Sequence, residues 1–178
     1  MIAGAHVMMW LGYQPEGNDA CRFALTGGSL IVEGSCRSGD TTCRYRVRAE
    51  PSGITRRARI IVGRRAHLIE RDAGGNWTMG GREVPEVKGL EDIDLGFTPA
   101  TNTLPIRRLA LAPGEGADVT AAWFDPADHR LKPLRQRYDR IGPHHYRYAS
   151  PATGLEVDLT VDDFGAVTRY PGHWDATL

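Results

Sequence analysis

The chain has 178 residues, 22 basic and 22 acidic side chains and a formal net charge of zero. That length reads as one domain, residues 1–178, and the balance of charge speaks against the overall basic footprint of a nucleic-acid binder. Cys21, Cys36 and Cys43 are odd in number and form no C-x-x-C pair, which argues against a disulfide framework or a zinc site.

Met1 to Trp10 has no basic start, long apolar core or small-residue cleavage pattern, so it does not read as a signal peptide. No run approaches the ~18 apolar residues a membrane helix needs. A cytoplasmic protein with reduced thiols and no integral membrane segment is expected. Of the basic residues only Lys88 and Lys132 are lysines. The excess of arginine suits bidentate binding of carboxylate or phosphate, or follows from base composition alone.

Taken in chain order, period-two alternation dominates. Tyr45, Val47 and Ala49 alternate with Arg44, Arg46 and Arg48, and Leu155, Val157, Leu159 and Val161 alternate with Glu156, Asp158 and Thr160. Such runs are strands with one buried and one wet face. Strands are expected at 20–25, 29–36, 42–50, 54–62, 66–71, 76–79, 92–96, 106–111, 117–124, 131–139, 144–149, 155–161 and 166–170. Glycine-rich turns separate them, as at Thr26-Gly27-Gly28 and Ser38-Gly39-Asp40. Short helical turns are expected at 85–90, 99–104 and 126–129, where proline can start them. Many short strands at this spacing mean an all-β fold: an antiparallel sheet, a sandwich or a barrel.

The least generic stretch is Gly89 to Leu111, GLEDIDLGFTPATNTLPIRRLAL. Glu91, Asp92 and Asp94 precede Thr98 and then Thr101, Asn102 and Thr103, the last three held between Pro99 and Pro105. Short polar side chains of this kind bond to nearby backbone and build ordered turns. Arg107 and Arg108 follow and point to opposite sheet faces if they lie on a strand. Asp94, Thr98, Thr101, Asn102 and the inward arginine are expected to converge beside a concavity. An arginine facing an apolar hollow must find a carboxylate or a ligand anion. Inward aromatics, Trp77 and Tyr148 among them, read singly as core and together as the lining of a pocket.

Asp92 and Asp94 share a strand face about 6.6 Å apart, which allows an alternative reading as a hydrolase acid and base for a glycosidic or ester bond. No nucleophile elbow, dinucleotide or phosphate loop occurs. His144 and His145 are adjacent, a poor two-ligand metal site. Neither a catalytic residue, a metal nor a cofactor is expected on the main reading.

DIDLGFTPATNTLPIRRL resembles the signature of the glycolipid-binding protein family, a bacterial group. Tyr45-Arg46-Val47 with Ile54-Thr55-Arg56-Arg57-Ala58, Asn76-Trp77 with Gly80-Gly81, Gln136-Arg137-Tyr138, Tyr146-Arg147-Tyr148, Val161-Asp162 and Tyr170-Pro171-Gly172 agree with it. The resemblance spans about residues 20 to 174. It implies a single, strongly curved antiparallel sheet curling into a barrel or half-barrel, similar to bacterial lipoprotein carriers. It further implies non-enzymatic binding of an amphipathic partner, a glycolipid or other lipid-like molecule, on the concave face.

Overall fold

Along most of the chain the alternation translates into burial. In the run Cys43–Ala49 the odd-numbered side chains are buried and the three arginines between them are exposed. The computed structural model describes residues 4–177. Its first eight strands are β1 (His6–Tyr13), β2 (Glu16–Thr26), β3 (Ser29–Ser38), β4 (Thr41–Ala49), β5 (Thr55–Val62), β6 (Arg65–Arg71), β7 (Trp77–Met79) and β8 (Arg82–Glu83). After these come β9 (Ile93–Leu95), one helix α1 (Thr103–Leu109), then β10 (Gly116–Asp125), β11 (Arg130–Gly142), β12 (His145–Ser150), β13 (Leu155–Val161), β14 (Val167–Tyr170) and β15 (Trp174–Ala176).

All fifteen described strands belong to one sheet, ordered β8-β7-β6-β5-β4-β3-β2-β1-β15-β14-β13-β12-β11-β10-β9. Two meanders are joined where the first and last strands pair, with Trp10 opposite Ala176 and Gly12 opposite Trp174. Every neighbour is antiparallel except β9, which runs parallel to β10. The sheet curls without closing. Its far regions nevertheless touch, because Thr55 N–H donates to the Glu91 carbonyl at 2.8 Å and Ile93 N–H to Thr55 Oγ1 at 3.1 Å.

A curl of this kind leaves a trough, and the chain fills it with its own residues 96–109. The segment leaves β9, forms a 3-10 turn at Pro99–Asn102 and runs into α1. Phe97, Ala100, Thr101, Thr103, Leu104 and Ile106 are buried against the inner face. The expected strand at 106–111 is therefore absent: Ile106–Leu109 is helix, closed by Ala110 in the left-handed region (φ 46°). The reason is hydrogen bonding. A segment lifted off the sheet has no ladder partner, so its buried N–H and C=O groups must bond locally, and leucine and arginine are good helix formers. Pro105 falls in the first turn, where N–H groups are free in any helix.

Three strands were not foreseen: β1, β8 and β15. β1 escapes because both of its faces are apolar: Met8 and Trp10 point inward while Val7, Met9 and Leu11 point outward. Residues 126–129 form a plain turn rather than a helical one, and a 3-10 turn appears at Pro151–Thr153 instead.

The plug is pinned through a buried polar cluster. Asp19, inward on β2, accepts hydrogen bonds from Tyr45 Oη at 2.8 Å and from the Thr98 hydroxyl. Thr98 also accepts from Ala100 N–H at 3.0 Å, starting the 3-10 turn. Tyr45 can lie flat across the sheet because its β3 partner is Gly34. A Cβ there would sit 2.4 Å from Tyr45 Oη and 2.6 Å from the Ala20 carbonyl. Cys21, Cys36 and Cys43 are buried free thiols, and Cys36 faces Cys43 across β3–β4.

Gly34→Ala is expected to lower stability by about 2–3 kcal/mol, the range for overpacking a fixed site. Ser35→Ala, on the exposed face next door, is expected to change it by less than about 0.5 kcal/mol. Urea denaturation of both variants checks this, and equal losses would remove Tyr45 from its proposed anchoring role.

Candidate ligand site

Antiparallel connectivity places the β1–β2, β3–β4, β5–β6, β10–β11, β12–β13 and β14–β15 turns at one end of the sheet. Two cavities lie toward this end, and Gly96 of the plug borders both.

The first, about 280 Å³, is bordered by Asp94, Thr98 and Asn102 from the β9–plug segment, Trp123 from β10, and Tyr148, Ser150, Tyr170, His173 and Trp174 from the C-terminal meander. Among the described residues Asp94 is its one carboxylate, and no arginine or lysine lines it. Gln136 Nε2 donates to Asp94 Oδ2 at 2.5 Å. Burial nevertheless pushes the Asp94 carboxyl up to about 6, against the Gln136 bond and with help from the nearby Asp92 charge. Burial, then the Asp94 charge, also raises the Tyr148 and Tyr170 phenols. Both stay protonated and can donate. Asn102 Nδ2 donates to Tyr138 Oη at 2.9 Å, which fixes the amide. Ser150 is 1% exposed, yet its hydroxyl has no hydrogen-bond partner among the described residues. Gly96 lets the indole close in, since a Cβ there would meet Trp123 Nε1 at 2.5 Å.

The second cavity, about 580 Å³, has a different character. Pro15, Cys43, Val62, Phe97, Pro126 and Ala127 supply apolar walls, with Arg64, Arg65 and His129 among its other lining residues. His67 accepts or donates a bond with His129 at 3.0 Å, and burial followed by the His129 charge lowers its pKa.

Four of the eight residues expected to form the site thus meet in one cavity: Asp94, Thr98, Asn102 and Tyr148. Thr101 sits behind them, accepting the Leu95 N–H at 3.1 Å. Trp77 is elsewhere, buried with its indole N–H on the Leu90 carbonyl at 2.9 Å. The arginines are also elsewhere, and they are on a helix rather than on opposite faces of a strand. Arg108 does turn back to the acids: its Nε lies 3.0 Å from Asp92 Oδ1 and its Nη1 2.9 Å from Glu91 Oε2. Arg107 Nη1 donates to the Phe164 carbonyl at 2.9 Å, with the guanidinium 4.5 Å above the Phe164 ring. It lines a separate hollow at the opposite end of the sheet.

Sequence reasoning missed Ser150, Tyr170 and His173 as lining residues, and Asp19 as the anchor of the plug. Asp19 carried a usable signal. It falls on the same parity as Gly17, Cys21 and Phe23, so it is an acid on the inward side of a strand.

The family model described as "Putative glycolipid-binding" matches residues 7–176. The chain belongs to that family. It is also similar to a solved structure, a DUF1089-family protein from Pseudomonas aeruginosa. Identity is 27%, coverage 98% of this chain and 92% of that one, and the TM-score 0.72. No curated relative matches. The curled sheet is thus shared with a neighbour, and no helix among the described residues is long and apolar enough to cross a membrane.

Two outcomes follow. Arg108→Ala strands Asp92, which is 1% exposed; it is expected to cost about 3 kcal/mol, the low end for breaking a buried pair. Arg107→Ala, losing one carbonyl bond and a ring contact, is expected to cost about 1 kcal/mol. Urea midpoints compare them, and a smaller loss for Arg108 would contradict this geometry. For Asp94 the sign is opposite to that of a paired carboxylate. Its folded pKa lies above the unfolded value near 3.9, so the native state holds the proton longer. Stability from this group is fully present below about pH 4 and lost as pH rises to about 6. Asp94→Asn is therefore expected to stabilise the protein at neutral pH by about 1–3 kcal/mol and to flatten stability across that interval. A variant less stable at pH 7 than the parent would refute it.

Proposed function

We propose that the protein is a non-enzymatic binding protein for an amphipathic molecule, with a neutral, polyhydroxylated headgroup in the first cavity and an apolar chain in the second. One observation carries this reading: a cavity bordered by Asp94, phenols and indoles with no arginine or lysine among its described lining residues, and a larger, more apolar one, share Gly96 at their border. A phosphate or carboxylate headgroup would meet Asp94 with no arginine or lysine of the lining to balance it. A sugar ring suits the lining better, because its hydroxyls can bond to Asp94, Tyr148, Tyr170 and Ser150 while its apolar face lies on an indole. The volumes suit small ligands, for which pockets of roughly 300–1,000 Å³ are usual. Family membership supports the same class, since the family's description is of glycolipid binding.

The alternative reading is a hydrolase with Asp92 or Asp94 as acid or base. Asp92 is held by Arg108 and does not line the cavity, so a glycosidase pair of facing carboxyls is not supported by these two residues. The raised pKa of Asp94 is the one observation that favours a lone general acid.

Tryptophan fluorescence provides the test, because Trp123 and Trp174 border the first cavity. An alkyl glucoside below its micellar concentration is expected to give a saturable change. Asp94→Ala is expected to weaken binding about tenfold, the loss of one charged hydrogen bond. Ala127→Trp, which blocks the second cavity, is expected to weaken the alkyl glucoside but not methyl glucoside. No saturable response, or the same response to an alkyl phosphate, would overturn the reading. Release of free glucose, abolished in Asp94→Asn, would replace it with the hydrolase.

A further inference from the structure

The outer face of the central strand is the most unusual surface of the molecule. β1 is the eighth of fifteen strands in sheet order. It presents Val7, Met9, Leu11 and Tyr13 to the outside at 60, 56, 49 and 51% exposure. Alternate residues on a strand are about 6.6 Å apart, so the four make an apolar ridge roughly 20 Å long. Nothing in their packing explains them, because the inward side chains of β1 already supply its share of the core. Monomers tolerate single exposed apolar residues, but a continuous row marks an interaction site.

The strands on one side of the ridge say what kind. Following the register outward, Met9 lies beside Ala20, then Ser35, then Arg44. In the next row Val7 lies beside Arg22, then Glu33, then Arg46, and the outer face of these strands thus gathers Arg44, Arg46 and Arg48 on β4, Arg57 and Arg59 on β5 and Arg22 on β2. All six are exposed. The acids on these strands are fewer: Glu16 lies opposite Tyr13, Glu33 is shared between Arg22 and Arg46, and Glu70 pairs with Arg57. The strands on the other side carry no such excess. There Arg137 is matched by Asp139 and Asp118, Arg147 by Asp158, and Arg169 by Asp175.

We propose that this convex face docks on a lipid bilayer bearing anionic headgroups, with the Val7–Tyr13 ridge entering the acyl boundary and the β2–β5 arginines lying on the phosphates. Apolar burial and electrostatic attraction combine in this mode of surface binding, and each arginine near an anionic surface contributes appreciably. Guanidinium suits phosphate through its two-pronged fork. A second copy of the chain fits less well, because two convex faces meet along a line, well short of the roughly 1,600 Å² of a standard interface. The proposal stands apart from the cavity reading, since none of Val7, Met9, Leu11 and Tyr13 lines either cavity.

Co-sedimentation with vesicles tests it, using phosphatidylcholine alone and phosphatidylcholine mixed with phosphatidylglycerol. The protein is expected to sediment with the mixed vesicles and to be released by high salt. Met9→Thr/Leu11→Thr, which keeps strand-forming residues, and Arg44→Glu/Arg46→Glu are each expected to lower partitioning at least about tenfold. Circular dichroism and thermal midpoints of both variants are expected to match the parent, since the positions are exposed. Absence of vesicle binding would overturn the proposal, as would equal binding to neutral vesicles. A dimer in analytical ultracentrifugation that the Met9/Leu11 variant dissolves would hand the ridge to a second copy instead.

Discussion

A long sheet that curls without closing exposes an inner apolar face that its own edges cannot cover, and its stability depends on what fills that trough. Here the filling is residues 96–109, and the segment is held by charge as much as by packing. Asp19 anchors its start through Thr98 and Tyr45. Arg108 anchors its end by reaching back to Asp92 and Glu91. Neither contact is a strong net stabiliser, because each carboxylate is removed from water first; burial is the largest influence on both and raises their pKa values. Their effect is on position. A buried carboxylate that loses its partner is far worse than one that keeps it, so these contacts favour the seating in which both ends of the plug meet their acids.

That seating decides where space is left over. The plug contributes to both core clusters: Phe97, Ala100 and Leu104 join the larger one, and Ile106 joins the one around Tyr138, Tyr146 and Tyr148 on the late strands. The polar cavity lies where the plug leaves β9 for the trough. A site placed there inherits groups the core would otherwise avoid: a carboxylate with a raised pKa and a serine hydroxyl with no partner. Unsatisfied buried polar atoms are destabilising in a folded protein and become useful when a ligand supplies the missing bonds. On the reading proposed above, the hydroxyls of a sugar supply these bonds, which an alkyl chain cannot, and the two cavities divide the two parts of an amphipathic molecule between them.

How much of this could be read from the chain depends on whether a residue's neighbours in sequence are also its neighbours in space. Strands from β2 to β6 and from β10 to β14 were legible because turn residues bound them, most alternate over part of their length, and each pairs with the next. β1 was not, because the outer positions that should be polar are Val7, Met9 and Leu11. β8 and β15 are too short to show a period. The arginines were placed on a strand because Pro105-Ile106-Arg107-Arg108-Leu109 has no period of its own, and only the absence of a ladder partner makes it helical. Within the site, Asp94, Thr98 and Asn102 could be found because they are close in sequence on a turn-rich segment. Ser150, Tyr170 and His173 reach the same cavity from the far end of the chain, and no local pattern announces that. Trp77 looked equivalent to Tyr148 by parity; their separation follows from strand order, which parity does not contain.

Zero net charge concealed the most uneven feature of the molecule. The sum is over two unlike halves of one sheet: arginines in excess on the outer face of β2 to β5, and locally matched pairs on β11 to β15. Alternation explains how a strand such as β4 can carry three arginines without destabilising its core, since all three share the outward parity and none is desolvated. It does not explain why they gather on adjacent strands, where like charges repel across the ladder. Repulsion of that kind is retained at little benefit to folding, and so it belongs with the exposed row on β1 as a surface shaped for contact with something outside the chain.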